Sequence, residues 1–404
     1  VDETKALRRR LHELRCWRGL TLQEAAGLAG LSFSFWGQVE RGEKPVTKRR
    51  TLEAMASALQ VHPAELTGQP GWTPQDPVSA GPQAGLTAIE TALECYQLGV
   101  DPEVPARPWP QIADDLERLS TTMRWTANYA AQSALAPMVL GELHGAYVRM
   151  PQRRPEVLLG LIRAYARAMW TAKRLGDHGL PSLAARAVQQ CAETLDDPLW
   201  LGYATYLRGA ATGQLDRAAH YRRSVAAAES LTSQLDRDDA LQACGMLHLS
   251  AAQAAGAQAD QDTATAHLAE ASLLAARMDT EAGTWADWRF GSVKVGIRKT
   301  RIAVELGEHG QALEVAKTVH PELVRAVQQA EFWADVGRAL AAEKKTRDKA
   351  VRALVHAEQL APQRIRHDVF VREVVTGLLR QTRRDAGGRE LRGLAWRMGV
   401  APVG

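Results

Sequence analysis

The sequence predicts an all-α chain in two parts. A five-helix unit over residues 1–67 precedes a longer array of paired helices over 86–404, and a Gly/Pro-rich linker at 68–85, GQPGWTPQDPVSAGPQAG, joins them. Three observations carry this reading. Apolar residues recur at three- and four-residue intervals along the chain. No stretch shows the alternation of β-branched residues that a half-buried strand needs. Helix-starting and helix-stopping residues stand where the periodic segments begin and end.

In the first part, Ala6, Leu7, Leu11 and Leu14 share one face of a first helix. Thr21-Leu22-Gln23-Glu24 is a capping box that opens a second helix running to about Ala29. Gly30 suits the tight turn that follows. Ser32 is an N-cap for a third helix ending near Glu40, with Gly42 able to take the left-handed conformation beyond it. Within 48–60, Leu52, Met55, Ala56 and Leu59 fall on one face of a fourth helix, and HPAEL at 62–66 closes the unit with Pro63 in its first turn.

Beyond residue 86, Ala-rich amphipathic segments are broken by Gly, Pro or Asp, and DPEVPARPWP at 101–110 reads as a long connection between helices. Four turns end in a polar residue then Ala: LDRA at 215–218, QDTA at 261–264, HGQA at 309–312 and RDKA at 347–350. Ala264, Leu268 and Ala271 share their spacing with Ala350, Leu354 and Ala357, and Pro362 follows the second set. Small residues at these positions let paired helices approach closely. Helix hairpins repeated at such a period build a solenoid. The offsets at 350–362 resemble degenerate tetratricopeptide repeats. The amphipathic stretch with Leu391, Leu394, Ala395 and Met398 is expected to cap the array.

Composition excludes several classes. With 46% hydrophobic and 24% charged residues the chain is of ordinary globular make-up. No apolar run approaches the ~20 residues of a membrane span. The start, VDETKALRRRL, lacks the apolar core of a signal peptide, and Cys16, Cys95, Cys191 and Cys244 are scattered. A cytoplasmic, disulfide-free setting is expected, with no membrane partner and no metal or other cofactor. A formal charge of +4 means that any basic surface is local. No phosphate-binding loop, dinucleotide fingerprint, metalloprotease motif or nucleophile elbow occurs, so no enzyme is expected. His144, His220, His248, His267, His309, His320, His356 and His367 are spread along separate segments and read as core or surface residues.

Four stretches carry a family resemblance: LRRRLHELR at 7–15, RGLTLQEAA at 18–26, SFSFWGQVERG at 32–42 and TLEAMASALQVHPAEL at 51–66. Together they resemble the helix-turn-helix of the XRE family, the fold of lambdoid phage repressors and Cro. The resemblance implies double-stranded DNA as partner, with the third helix in the major groove. It implies Phe33, Ser34 and Gln38 as base-facing residues, and Thr21, Lys44, Thr47, Lys48, Arg49 and Arg50 as phosphate contacts. Trp36 and Val39 are expected in the core, and Glu40 and Arg41 resemble a structural ion-pairing pair. Leu22 and Phe33 depart from the polar residues usual at their positions.

The whole layout resembles XRE-type regulators of the actinomycete type. It implies a homodimeric transcriptional regulator of development or specialised metabolism, whose helical part takes a small-molecule or peptide effector. In TWADWRFGSVKVGIRKTR, 284–301, Lys294, Arg298 and Arg301 fall near one helical face. Lys294 and Arg298 are expected to hold such an effector, with Trp288 as a stacking wall. The alternative reading is a scaffold whose solenoid binds a partner protein, with DNA binding secondary.

Overall fold

The computed structural model describes residues 3–61, 63–67, 77–105, 107–125, 128–177, 179–212, 215–280, 283, 285–366, 368–381 and 388–400. Among them every regular element is helical, so the all-α expectation holds. The chain forms two compact units. The first comprises Val1–Gly71, Gly256–Ala259 and Gly296–Gly404, and the second Trp72–Ala255 and Asp260–Val295. Residues 1–67 thus share a unit with the chain's last third, and the stretch 86–404, expected as one helical domain, is apportioned between both. Of the expected linker, 68–76 lie outside the described residues, while 77–85 open a helix whose first residue is Pro77. Proline costs no hydrogen bond in that first turn.

The first unit begins with α1 (Glu3–Trp17), α2 (Leu22–Leu28), α3 (Phe33–Glu40), α4 (Arg49–Ala58) and α5 (Pro63–Thr67). Local chemistry sets their ends. The Thr21 hydroxyl accepts the Glu24 N–H at 3.2 Å while the Glu24 carboxylate accepts the Thr21 N–H at 2.8 Å, and Ser32 accepts the Phe35 N–H at 3.2 Å. Gly30 and Gly42 sit at φ 63° and 76°, where a side chain would be strained. Leu7, Leu11, Trp36, Val39, Leu52, Met55, Ala56 and Leu59 are buried together.

The second unit holds α6 (Pro77–Cys95), α7 (Trp109–Ser120), α8 (Thr122–Trp125), α9 (Tyr129–Arg149), α10 (Arg154–Arg174), α11 (Leu180–Leu195), α12 (Pro198–Thr212), α13 (Arg217–Ser230), most of α14 (Asp238–Ala257) and α15 (Gln261–Ala276). Successive helices from α9 to α13 pack pairwise. Asp216, within the turn at 215–218, and Asp260, just before the one at 261–264, accept the N–H groups of Ala219 and Thr263 and so start α13 and α15.

The first unit resumes within α16 (Ser292–Leu306) and continues through α17 (His309–Ala316), α18 (Ala326–Leu340), α19 (Arg347–Leu360), α20 (Pro362–Arg366), α21 (Val369–Gln381) and α22 (Arg389–Arg397). Ala350, Leu354 and Ala357 of α19 are buried in one cluster with Ala330 and Ala334 of α18. Leu354 lies over Gly337, where a Cβ would collide with it. Leu391, Leu394, Ala395 and Met398 complete this cluster from α22 and its end.

Candidate nucleic-acid interface

The face of α3 divides as its periodicity dictates. Trp36 is fully buried and Val39 nearly so, whereas Phe33 is 58% exposed, Ser34 is exposed and Gln38 is half-buried. Much of the Phe33 ring is thus accessible from outside the protein. Leu28, at the last turn of α2, is 65% exposed. Sequence reading passed over it, although Leu22, Ala25, Ala26 and Ala29 set the inward phase and leave Leu28 off it. Two apolar side chains therefore flank the α2–α3 turn, suited to thymine methyl groups.

The carboxylate at the end of α3 faces inward. Glu40 accepts Arg15 Nε at 2.6 Å, Trp36 Nε1 at 2.7 Å and a contact from His12 Nδ1 at 3.2 Å. Burial opposes its charge, but the bonds from Arg15, Trp36 and His12 outweigh that and hold the carboxyl below its ordinary range. Arg41 is not its partner. It pairs with Glu43 at 2.7 Å on the surface, and its guanidinium lies against Gly37 on the outer side of α3. The expected ion-pairing residues thus take separate partners, because Arg15 reaches Glu40 from α1. Exposed pairs such as Arg41–Glu43 contribute little to stability.

The expected phosphate contacts are distributed unevenly. Arg50 is exposed, and the Lys44 ammonium stands 4.9 Å from the centre of the Phe35 ring. Thr21 spends both its N–H and its hydroxyl on Glu24, whose carboxyl these bonds hold below the usual range. The segment 42–49 meets the C-terminal helices of its own unit. Arg338 Nη2 of α18 donates to the Thr47 carbonyl at 2.9 Å, and Lys48 Nζ donates to the Leu306 carbonyl at 3.4 Å. The Arg49 N–H, first of α4, donates to Glu305 Oε2 at 3.0 Å. Arg49 and Arg338 both lie on the Phe370 ring of α21, at 5.3 and 5.2 Å from its centre, and Arg380 donates to the Gly42 carbonyl. Phe370 joins the core of α1–α5.

Two carboxyls beneath this segment are held in opposite states. Burial opposes ionisation of Glu305, yet Arg338, Arg49 and the Arg49 N–H hold it below the ordinary carboxylate range. Burial pushes Glu373 up to about 7 against the pull of Arg8, the Val46 N–H and Arg372. Glu305 belongs to a chain of ion pairs: Arg338 joins it at 2.9 Å to Asp335, Asp335 binds Arg301 at 2.8 Å, and Arg364 joins Glu331 to Asp368 at 2.8 Å each.

Of the expected effector residues, Trp288 is packed rather than open. It is 5% exposed, stacked on Tyr203 at 5.0 Å and 26°, with Tyr206 at 4.9 Å and Trp285 at 5.0 Å. Its faces are taken by α12 tyrosines that no local pattern announces. Trp288 and Lys294 belong to the second unit and Arg298 to the first. Arg301 is engaged by Asp335 and Glu331.

The histidines are less dispersed than the sequence suggests. His248 and His267 approach through their Nδ1 atoms at 2.9 Å, and His220 meets Ser250 at 2.8 Å. His367 lies outside the described residues. Among the described residues no group of three or more His, Cys, Asp or Glu could hold a metal ion, and no helix is long and apolar enough to cross a membrane.

A protein-family model described as a helix-turn-helix domain matches residues 6–67, the span of α1–α5. No curated protein and no solved structure matches the chain. The N-terminal segment is a helix-turn-helix, the class of unit that carries a helix into DNA.

Proposed function

We propose that this protein is a sequence-specific, DNA-binding transcriptional regulator of the XRE type. It acts as a cytoplasmic two-fold dimer, and its tetratricopeptide-like helical part takes an effector or partner that modulates DNA binding. The observation that carries the reading is the outer face of α3. Phe33 and Ser34 are exposed beside Gln38, on a helix anchored from behind by Trp36. Gln38 can bond adenine N6 and N7, while Arg50 and Lys44 supply phosphate contacts. A dimer is part of the proposal because one such unit makes few base contacts and paired half-sites supply the rest. No catalytic step belongs to this reading.

The test is selection of duplexes from a random library by the full chain, followed by binding measurements. Gln38→Ala is expected to relax preference at one position per half-site and to cost about 1–3 kcal/mol. Arg50→Ala is expected to weaken all duplexes alike and to flatten the salt slope by roughly 0.9 per phosphate released. Absence of any enriched duplex would remove the reading. One observation favours the scaffold alternative: the Lys48 ammonium and the Arg49 N–H are spent on contacts within the protein. In that case the full chain enriches no duplex but retains a protein partner.

A further inference from the structure

The N–H that opens α4 is an anion site, and an anion from the same chain fills it. Helix N-termini attract carboxylates and phosphates alike. Here the Arg49 N–H bonds Glu305 at 3.0 Å, and Glu305 is held in turn by Arg338 at 2.9 Å. The neighbouring Lys48 ammonium bonds the Leu306 carbonyl, and the Arg49 guanidinium lies on Phe370. Gly307 has no side chain, and a Cβ there would run into Lys48 Nζ. Pro45 lies at ordinary contact distance, 3.4 Å, from the Cβ position of Gly377 on α21. Between Gly42 and Arg49, the Gly42 and Thr47 carbonyls, the Lys48 ammonium and the Arg49 N–H are held by groups of α16, α18 and α21, while the side chains of Glu43, Lys44 and Arg49 stay exposed.

We propose that these C-terminal helices close the DNA-binding unit, with Glu305 standing where a DNA phosphate stands in the complex. This inference rests on the DNA-binding reading above. A phosphate at the start of α4 needs the position of Glu305, and one on Lys48 needs the position of the Leu306 carbonyl. Duplex and C-terminal helices therefore compete for one edge of the protein. The affinity measured for the whole chain is the intrinsic affinity multiplied by the open fraction. Opening exposes the Thr47 carbonyl and uncovers Phe370, while Arg338 keeps Asp335 at 2.8 Å. The base-facing surface of α3 takes no part in the closure, so closure governs affinity without changing sequence preference.

The test uses the full chain with Cys16→Ser and Cys95→Ser, which removes the two exposed thiols. Pro45→Cys with Gly377→Cys places a pair of thiols across the closure. A duplex enriched from a random library is titrated against the oxidised and the reduced protein, and mass spectrometry confirms the cross-link. The oxidised form is expected to bind at least about tenfold more weakly and to recover on reduction. Separately, Glu305→Gln removes one charged partner, an interaction that sets a scale of about tenfold or more. It is expected to bind the same duplex that much more tightly than the parent, with a salt slope steeper by roughly 0.9 for each further phosphate that the opened edge neutralises. Equal binding by oxidised and reduced protein, or an unchanged affinity for Glu305→Gln, overturns the closure and leaves DNA binding standing. If neither the parent nor Glu305→Gln enriches any duplex, the DNA-binding reading falls and the closure with it.

Discussion

Both compact units bury ion pairs, Arg107 with Glu142 and Asp115 in the second as Arg338 with Asp335 and Glu305 in the first, but their other buried polar groups differ. In the second, several are neutral pairs: His144 on the Tyr165 hydroxyl at 2.6 Å, His220 on Ser250, and His267 between His248 and Tyr221. In the first, they are ions linked in series from Arg301 through Asp335 and Arg338 to Glu305. Such neutral contacts hold helices together, and losing one strands no ion. An ion series transmits the loss of one member to the next, because each remaining charge stays buried without its partner. The series ends on Thr47 and Arg49, just beyond α3. In the unit that bears the helix-turn-helix the ion series therefore runs to the start of α4.

Asp335→Ala breaks the comparison most strongly. It leaves the buried Arg338 and the partly buried Arg301 short of a carboxylate and is expected to destabilise the first unit by about 3–5 kcal/mol. Hydrogen exchange should show amides of α16, α18 and segment 42–49 losing protection while α9–α11 keep theirs. Loss spread evenly over both units would refute the separation.

Mild acid should move the units in opposite directions. Burial holds His144 and His220 down to about 4. The unfolded chain takes up those protons near pH 6.5, so the stability they confer is present above that and is lost as pH falls. Between pH 7 and 5 the loss is about 2 kcal/mol per histidine. Glu373 has the reverse sign. Its folded form keeps the proton up to about 7, so its contribution is complete below the unfolded value and fades as pH rises through 7. From pH 7 to 5 it adds about 2 kcal/mol to the first unit. His309, lowered by burial and by Lys48 and Arg338, works against that gain. Unit-resolved hydrogen exchange at the two pH values checks this, and Glu373→Gln should abolish the first unit's gain.

The smallest effect is expected for Tyr165→Phe, which leaves a neutral His144 nitrogen without its partner and costs about 1–2 kcal/mol, confined to α9 and α10. A thermal or denaturant transition is enough to measure it. A loss as large as that of Asp335→Ala would mean that the neutral pairs are as consequential as the ion series.

Sequence reading served best where structure is local. Thr21, Glu24, Ser32 and Gly42 mark the ends of α2 and α3 because caps act within four residues, and Leu52, Met55, Ala56 and Leu59 mark the inward face of α4 by spacing alone. It served poorly where partners are distant. Nothing near Arg49 announces Glu305 or Phe370, and nothing near Trp288 announces Tyr203. The Gly/Pro content of 68–85 suggested a linker, yet Pro77 is tolerated in the first turn of α6. Residues on one helix face are legible in order, but what that face meets is decided by the fold.

Phe370 belongs to the core of a unit whose other members lie within the first 66 residues. At roughly 5–20 residues per second, a ribosome adds Phe370 on the order of 15–60 s after α5. During that interval the nascent helix-turn-helix lacks one core residue and the acceptors that later hold the Lys48 ammonium and the Arg49 N–H. The newborn chain therefore gains the partners of these two donors only when α16 has been made, and Phe370 later still.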